Sequence, residues 1–66
     1  MRLVIGNEVK ELEARLTSDL LRALNLGEGK GIAIAVNDAV VPRSQWQARA
    51  LEEGDRVEIV RAVQGG

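Results

Sequence analysis

An α+β domain, with one helix packed across a mixed sheet, is the fold class this sequence predicts. Three observations carry the prediction. Met1, Leu3 and Ile5 alternate onto one face and lead into a glycine-first pair, Gly6-Asn7, suited to a hairpin turn. Leu20, Leu21 and Leu24 recur at helical spacing. Two later runs, Ile32 to Val36 and Val57 to Val63, are rich in branched apolar residues and read as strands.

The first strand begins at Met1. Glycine in the first turn position favours a type II′ turn, so Glu8 to Leu12 returns antiparallel as a second strand. Its charged, polar sequence suits an edge or a solvent-facing ribbon, although it also tolerates a helix. Thr17 or Ser18 can cap the helix, with Asp19 in the first turn, where negative charge complements the helix dipole. Leu16 is placed to staple the entry, and Asn25 and Gly27 can end the helix in a left-handed residue. The helix is about two turns long, too short to stand alone in water, so its leucines must pack on the sheet.

Ile32, Ile34 and Val36 alternate with Ala33 and Ala35, an uncharged run expected of a central strand covered on one side by the helix. Asn37-Asp38 offers a turn or bulge, and Ala39-Val40-Val41 continues as strand until Pro42, which cannot donate to a ladder. Arg43 to Trp46 forms a short helical or irregular turn. Leu51 is the apolar residue of a brief fourth strand, and Glu52-Glu53-Gly54-Asp55 turns with glycine open to positive φ. In the last strand Val57 and Ile59 face one way, and Glu58, Val60 and Ala62 the other. The order of strand, strand, helix, strand, short strand, strand is the β-grasp layout, a mixed four- to five-stranded sheet.

Sixty-six residues make one small domain, which buries only about 60% of the surface of its unfolded chain. With neither cysteine nor histidine, the chain lacks a thiol nucleophile, thiolate metal ligands and the commonest general base. A formal net charge of -1 and a single aromatic residue, Trp46, argue against a nucleic-acid surface. No apolar run approaches the ~20 residues that span a bilayer, and no signal peptide is visible. A cytoplasmic domain without membrane or nucleic-acid partners, metal or bound cofactor is expected.

The stretch that points to chemistry is the end, Ala62-Val63-Gln64-Gly65-Gly66. Its glycines cap no helix and close no turn. Without a Cβ they can approach another surface closely, so their use is to slide a terminal carboxylate into something narrow. A frayed end or an expression scar is the plain alternative. The expected division is a domain over residues 1–62 and a flexible tail over 63–66.

Other conspicuous residues favour structural readings. Gly27-Glu28-Gly29-Lys30-Gly31 suggests a phosphate loop, but it follows a helix, precedes a strand and lacks the required Ser/Thr, so it reads as a flexible connector. Trp46 could anchor an interface, yet in so small a domain it is better used to cover one end of the core. Arg43 could pair with a partner carboxylate, although a solvated surface arginine is the simpler reading.

Val36-Asn37-Asp38-Ala39-Val40-Val41-Pro42-Arg43-Ser44-Gln45-Trp46, then Leu51 to Val60 with its Glu53-Gly54-Asp55, then the Gly65-Gly66 end, resemble the ThiS family, sulfur carriers of thiamine (thiazole) biosynthesis. Ser18-Asp19-Leu20-Leu21 matches more loosely. The first seventeen residues match in pattern only, because the second strand lacks the Gly or Pro often found before the helix. The resemblance implies a ubiquitin-like β-grasp fold and a protein that is not an enzyme but a protein-borne substrate and sulfur donor for partner enzymes. In the family, an E1-like adenylyltransferase uses ATP to adenylate the terminal carboxylate. A sulfur donor such as a cysteine desulfurase system then converts it to a thiocarboxylate, and thiazole synthase takes the sulfur. Carried over, Gly66 is the modified residue, while Gly65, Gln64 and Val63 are read by the partner's channel. Two related readings share the terminal glycine: a small subunit of molybdopterin synthase type, which usually carries prolines before its tail where this chain has Arg61-Ala62-Val63-Gln64, and a ubiquitin-like modifier conjugated to lysines.

Overall fold

The computed structural model describes residues 1–61. In chain order these form β1 (Arg2–Ile5), β2 (Glu8–Glu11), α1 (Asp19–Ala23), β3 (Ile32–Val36), β4 (Ala39–Val41) and β5 (Arg56–Arg61), with a 3-10 turn at Arg43–Gln45. The strands make one mixed sheet in the order β2-β1-β5-β3-β4. β1 and β5 run parallel, with Val4 opposite Arg56 and Ile5 opposite Val57, and the remaining pairs are antiparallel. The expected β-grasp arrangement is present.

Gly6 takes φ 63° at the first hairpin while Asn7 stays out of the left-handed region, as a type II′ turn requires. Strand bounds are one residue narrower than expected, yet the pairing reaches further: Leu12 N–H donates to the Met1 carbonyl at 2.8 Å and the Met1 amino group to the Leu12 carbonyl at 2.7 Å. Every residue of β2 is exposed and the strand lies at the sheet edge, where its charges belong.

The helix start departs from expectation in two ways. α1 has five residues, shorter than two turns, and Ser18 at its N-cap makes no side-chain cap bond. Thr17 is fully buried, with its hydroxyl donating to the Arg49 carbonyl at 3.0 Å. Asp19 performs the local fastening instead. Its Oδ2 accepts the N–H groups of Arg15 and Leu16, both at 2.9 Å, so the entry loop is tied to the first turn. The other end is as expected. Asn25 is left-handed at φ 58°, Leu26 N–H donates to the Leu21 carbonyl and Asn25 N–H to the Arg22 carbonyl, the paired bonds of a Schellman stop.

Ile32, Ile34 and Val36 of β3 are buried, whereas Ala33 is exposed. The middle of the sheet, however, is β5, not β3. The uncharged second face of β3 is solvent-facing alanine rather than a covered layer. Asn37 and Asp38 both take positive φ, 51° and 70°, giving a type I′ turn that doubles Ala39–Val41 back on β3. That segment is therefore the fourth strand. Leu51 is buried in a loop, and its neighbour Ala50 makes only an isolated bridge to Leu16.

The core gathers Leu3, Val57, Ile34, Ile32, Val36 and Val41 from the sheet under Leu20 of α1, closed by Trp46, Leu51 and Ala14. Each fully buried branched side chain contributes roughly 1.5–3 kcal/mol. Among the described residues no helix is long and apolar enough to cross a membrane.

Candidate functional site

Val63, Gln64, Gly65 and Gly66 lie outside the described residues, as do Ala62 and the expected boundary between domain and tail. The structure does show what carries them. β5 runs up the middle of the sheet to Arg61, with Val57 buried and Ile59 packed against the core. Five register pairs from Ile32–Arg61 to Val36–Val57 hold it to β3. On its β3 side the segment leading to the tail is thus paired as far as Arg61.

The start of β5 is pinned by a polar network that sequence reasoning missed. Glu52 to Asp55 closes a turn with Gly54 at φ 85°, and the Asp55 N–H donates to the Glu52 carbonyl at 3.0 Å. The nearly buried Asp55 carboxylate accepts the Glu52 N–H at 2.8 Å and the Asn37 side-chain amide at 2.9 Å. Asn37 in turn accepts the Arg56 N–H at 2.9 Å, and the Arg56 guanidinium pairs with Asp38 at 2.8 Å. The β3–β4 turn and the β5 entry are thereby locked together. An Asn-Asp pair and an Asp after a turn glycine were visible in the sequence, but nothing local showed that they meet.

Val41 to Trp46 forms a second fixed unit. Pro42 ends β4 and opens the 3-10 turn, where residues three apart eclipse. Arg43 consequently lies over the Trp46 ring, 4.8 Å from its centroid. Its guanidinium donates to the Gly29 carbonyl at 2.9 Å and the Glu28 carbonyl at 2.5 Å. This corrects two expectations. Arg43 is not simply solvated, and the glycine-rich connector is fastened rather than flexible. Gly29 sits where a Cβ would come within 2.8 Å of Leu21 Cδ2 and 3.0 Å of Trp46 Cζ3. Trp46 itself is buried, with its indole N–H on the Val41 carbonyl at 2.9 Å, so the core reading of that residue holds.

Electrostatics is local. Backbone hydrogen bonds from Leu16 and Arg15 hold the Asp19 carboxyl below the usual aspartate range. The Met1 ammonium bonded to Glu11 lowers that carboxyl and is itself raised. Ser18 and Ser44 line an open depression beside Arg43 and Trp46, but without a histidine neither hydroxyl has a customary base. Among the described residues no group of three or more Asp and Glu is gathered for a metal.

The ThiS family profile matches residues 2–66. Among curated proteins the chain is similar to a thiazole synthase of Paramagnetospirillum magneticum, 32% identical over 66 residues. That match covers all of this chain but only 20% of the synthase, so the chain spans a fifth of that relative's length. It is also similar to the sulfur carrier protein ThiS of Escherichia coli, 28% identical over 67 residues and covering both chains completely. The crystal structure of a thiamine biosynthesis protein (ThiS) from Geobacter metallireducens has a TM-score of 0.84 at 23% identity, covering all of both chains. The solution structure of a thiamine biosynthesis protein from the same organism has a TM-score of 0.77 at 26% identity, covering all of this chain and 88% of that one.

Proposed function

The chain belongs to the ThiS family, and on that premise we propose that it is a sulfur carrier of thiamine biosynthesis whose Gly66 carboxyl is converted to a thiocarboxylate. The observation that carries the reading is the family match, which runs to the last glycine, together with full-length similarity to a sulfur carrier protein.

An α-carboxyl ionises near pH 3.5, so at neutral pH Gly66 ends in an anion and is a poor electrophile. In the proposed sequence a carboxylate oxygen attacks the α-phosphorus of ATP on an E1-like adenylyltransferase, and pyrophosphate leaves. A persulfide sulfur from a cysteine desulfurase system then attacks the acyl carbon and expels AMP. A thiol then attacks the donor's sulfur of the resulting acyl disulfide, forming a new disulfide with the donor and releasing the thiocarboxylate. Sulfur cannot ride on this chain as a cysteine persulfide, because the chain has no cysteine. Gly65 gives the end a slim passage, and Val63 and Gln64 are the positions a partner channel reads.

Similarity to part of a thiazole synthase supports that enzyme as the acceptor. This chain then acts as a cytoplasmic, protein-borne substrate rather than a catalyst. The test is intact mass after incubation with ATP, the adenylyltransferase and a sulfur source. One oxygen-to-sulfur exchange that is lost on alkaline hydrolysis supports the proposal. Isopeptide conjugates without sulfur would favour a modifier instead.

A further inference from the structure

The ladder between β1 and β5 stops early. Val4 N–H donates to the Asp55 carbonyl at 2.9 Å and Gly6 N–H to the Val57 carbonyl at 3.1 Å. The chain then turns at Gly6-Asn7 and leaves along β2. Along a strand, alternate residues aim their N–H and C=O groups at the same neighbour. On β5 the Arg56 carbonyl serves the β3 side, accepting Asn37 N–H at 2.7 Å, so Glu58 and Val60 face β3. Ile59 and Arg61 therefore face the β1 side, beyond the point where β1 has ended. Among the described residues nothing pairs with their N–H groups or with the Ile59 carbonyl on that side.

The other edges of the sheet are blunted. β2 is guarded by Glu8, Lys10 and Glu11, and β4 is three residues long and stopped by Pro42. The gap beside β5 is not closed by a proline, and the charges on this end of the strand are Glu58, whose backbone faces β3, and Arg61 at its very end. The gap is flanked by the half-buried Ile59 on one face and by Val60, 57% exposed, on the other. An unpaired stretch of strand flanked by Ile59 and Val60 suits addition of another strand.

Resting on the proposed function, we infer that this gap receives an extended strand of the adenylating enzyme, paired by backbone hydrogen bonds with Ile59 and Arg61. From Arg61 the five remaining residues can reach roughly 17 Å. Fixing the base of that span confines the carboxyl carbon to the neighbourhood of the bound ATP. A strand added here also runs alongside the chain toward the tail, so the partner can grip the backbone without reading side chains.

Amide exchange of the full chain, free and with the cognate adenylyltransferase and ATP, tests this directly. Protection at Ile59 and Arg61 should rise at least about tenfold on binding. Arg61→Pro removes the one N–H without touching the rungs at Glu58 and Val60. It should keep the β3–β5 exchange pattern and raise the KM for adenylation at least about tenfold, while Arg61→Ala stays near the parent. Unchanged exchange at both amides, or normal adenylation of a folded Arg61→Pro, would overturn the inference. So would protection of the same amides by self-association of the free chain. A parent chain that binds no adenylating enzyme at all would sink the proposed function itself, and this inference with it.

Discussion

Trp46 and Val41 are joined by a buried hydrogen bond, indole N–H to carbonyl at 2.9 Å, which folds the 3-10 turn back on the end of β4. Trp46→Phe keeps most of the apolar contact but leaves that carbonyl without its donor. The expected loss is about 1–3 kcal/mol in urea unfolding. A transition indistinguishable from the parent would show that the bond contributes little.

Gly29 and Gly27 provide a matched pair of substitutions. Both are left-handed, at φ 76° and 65°, but only Gly29 faces close neighbours. Gly27→Ala should cost about 1–2 kcal/mol from backbone strain alone. Gly29→Ala should cost at least about 1 kcal/mol more, because the methyl group must displace Leu21 and Trp46. Equal losses would mean that the loop shifts freely, against the clamp that Arg43 forms on it.

Asp19 has a depressed folded-state pKa because backbone N–H groups of Leu16 and Arg15 bond its carboxylate. A depressed carboxyl stabilises the fold above its unfolded value of about 3.9, and that contribution is lost as pH falls through the folded value. The stability gap between the parent and Asp19→Asn should be open at pH 6 and should narrow progressively as pH falls below about 4. A gap that does not vary with pH would assign the difference to something other than ionisation.

Ile34 is fully buried on the helix-facing side of β3. Ile34→Asp places an unpaired charge there, and a domain this small holds only about 3–5 kcal/mol. The variant should be unfolded by circular dichroism at neutral pH. An unchanged melting curve would contradict the placement of β3.

Local chemistry made several elements legible before the structure. Gly6-Asn7, Asn25 and Gly54 each demand a particular backbone geometry, and each adopts it. The place of β5 was not legible, because the parallel pairing of β1 with β5 joins residues from opposite ends of the chain and leaves no local pattern. The Asn37–Asp55 and Arg43–Gly29 contacts were hidden for the same reason, since each joins two loops distant in sequence. The helix cap was misassigned because the Thr17 hydroxyl is drawn to the distant Arg49 carbonyl, while the Leu20 and Leu21 N–H groups donate to the Thr17 and Ser18 carbonyls rather than to a capping side chain. For the candidate site the situation is reversed. The terminal Gly65-Gly66 pair is a feature of the sequence, and the structure contributes the strand that carries it.

The acyl carbon of Gly66 is the proposed working position, and the number of residues between it and the folded body decides whether it reaches the activating site. Sulfur loading of three chains compares this most directly: the parent, a chain lacking Gly66, and a chain with one alanine added after it. Each change shifts the carboxyl carbon by about 3.4 Å, and neither touches the described fold. Intact mass should show one oxygen-to-sulfur exchange in the parent and none in the two variants, with all three melting alike. Equal loading of all three chains would contradict the claim.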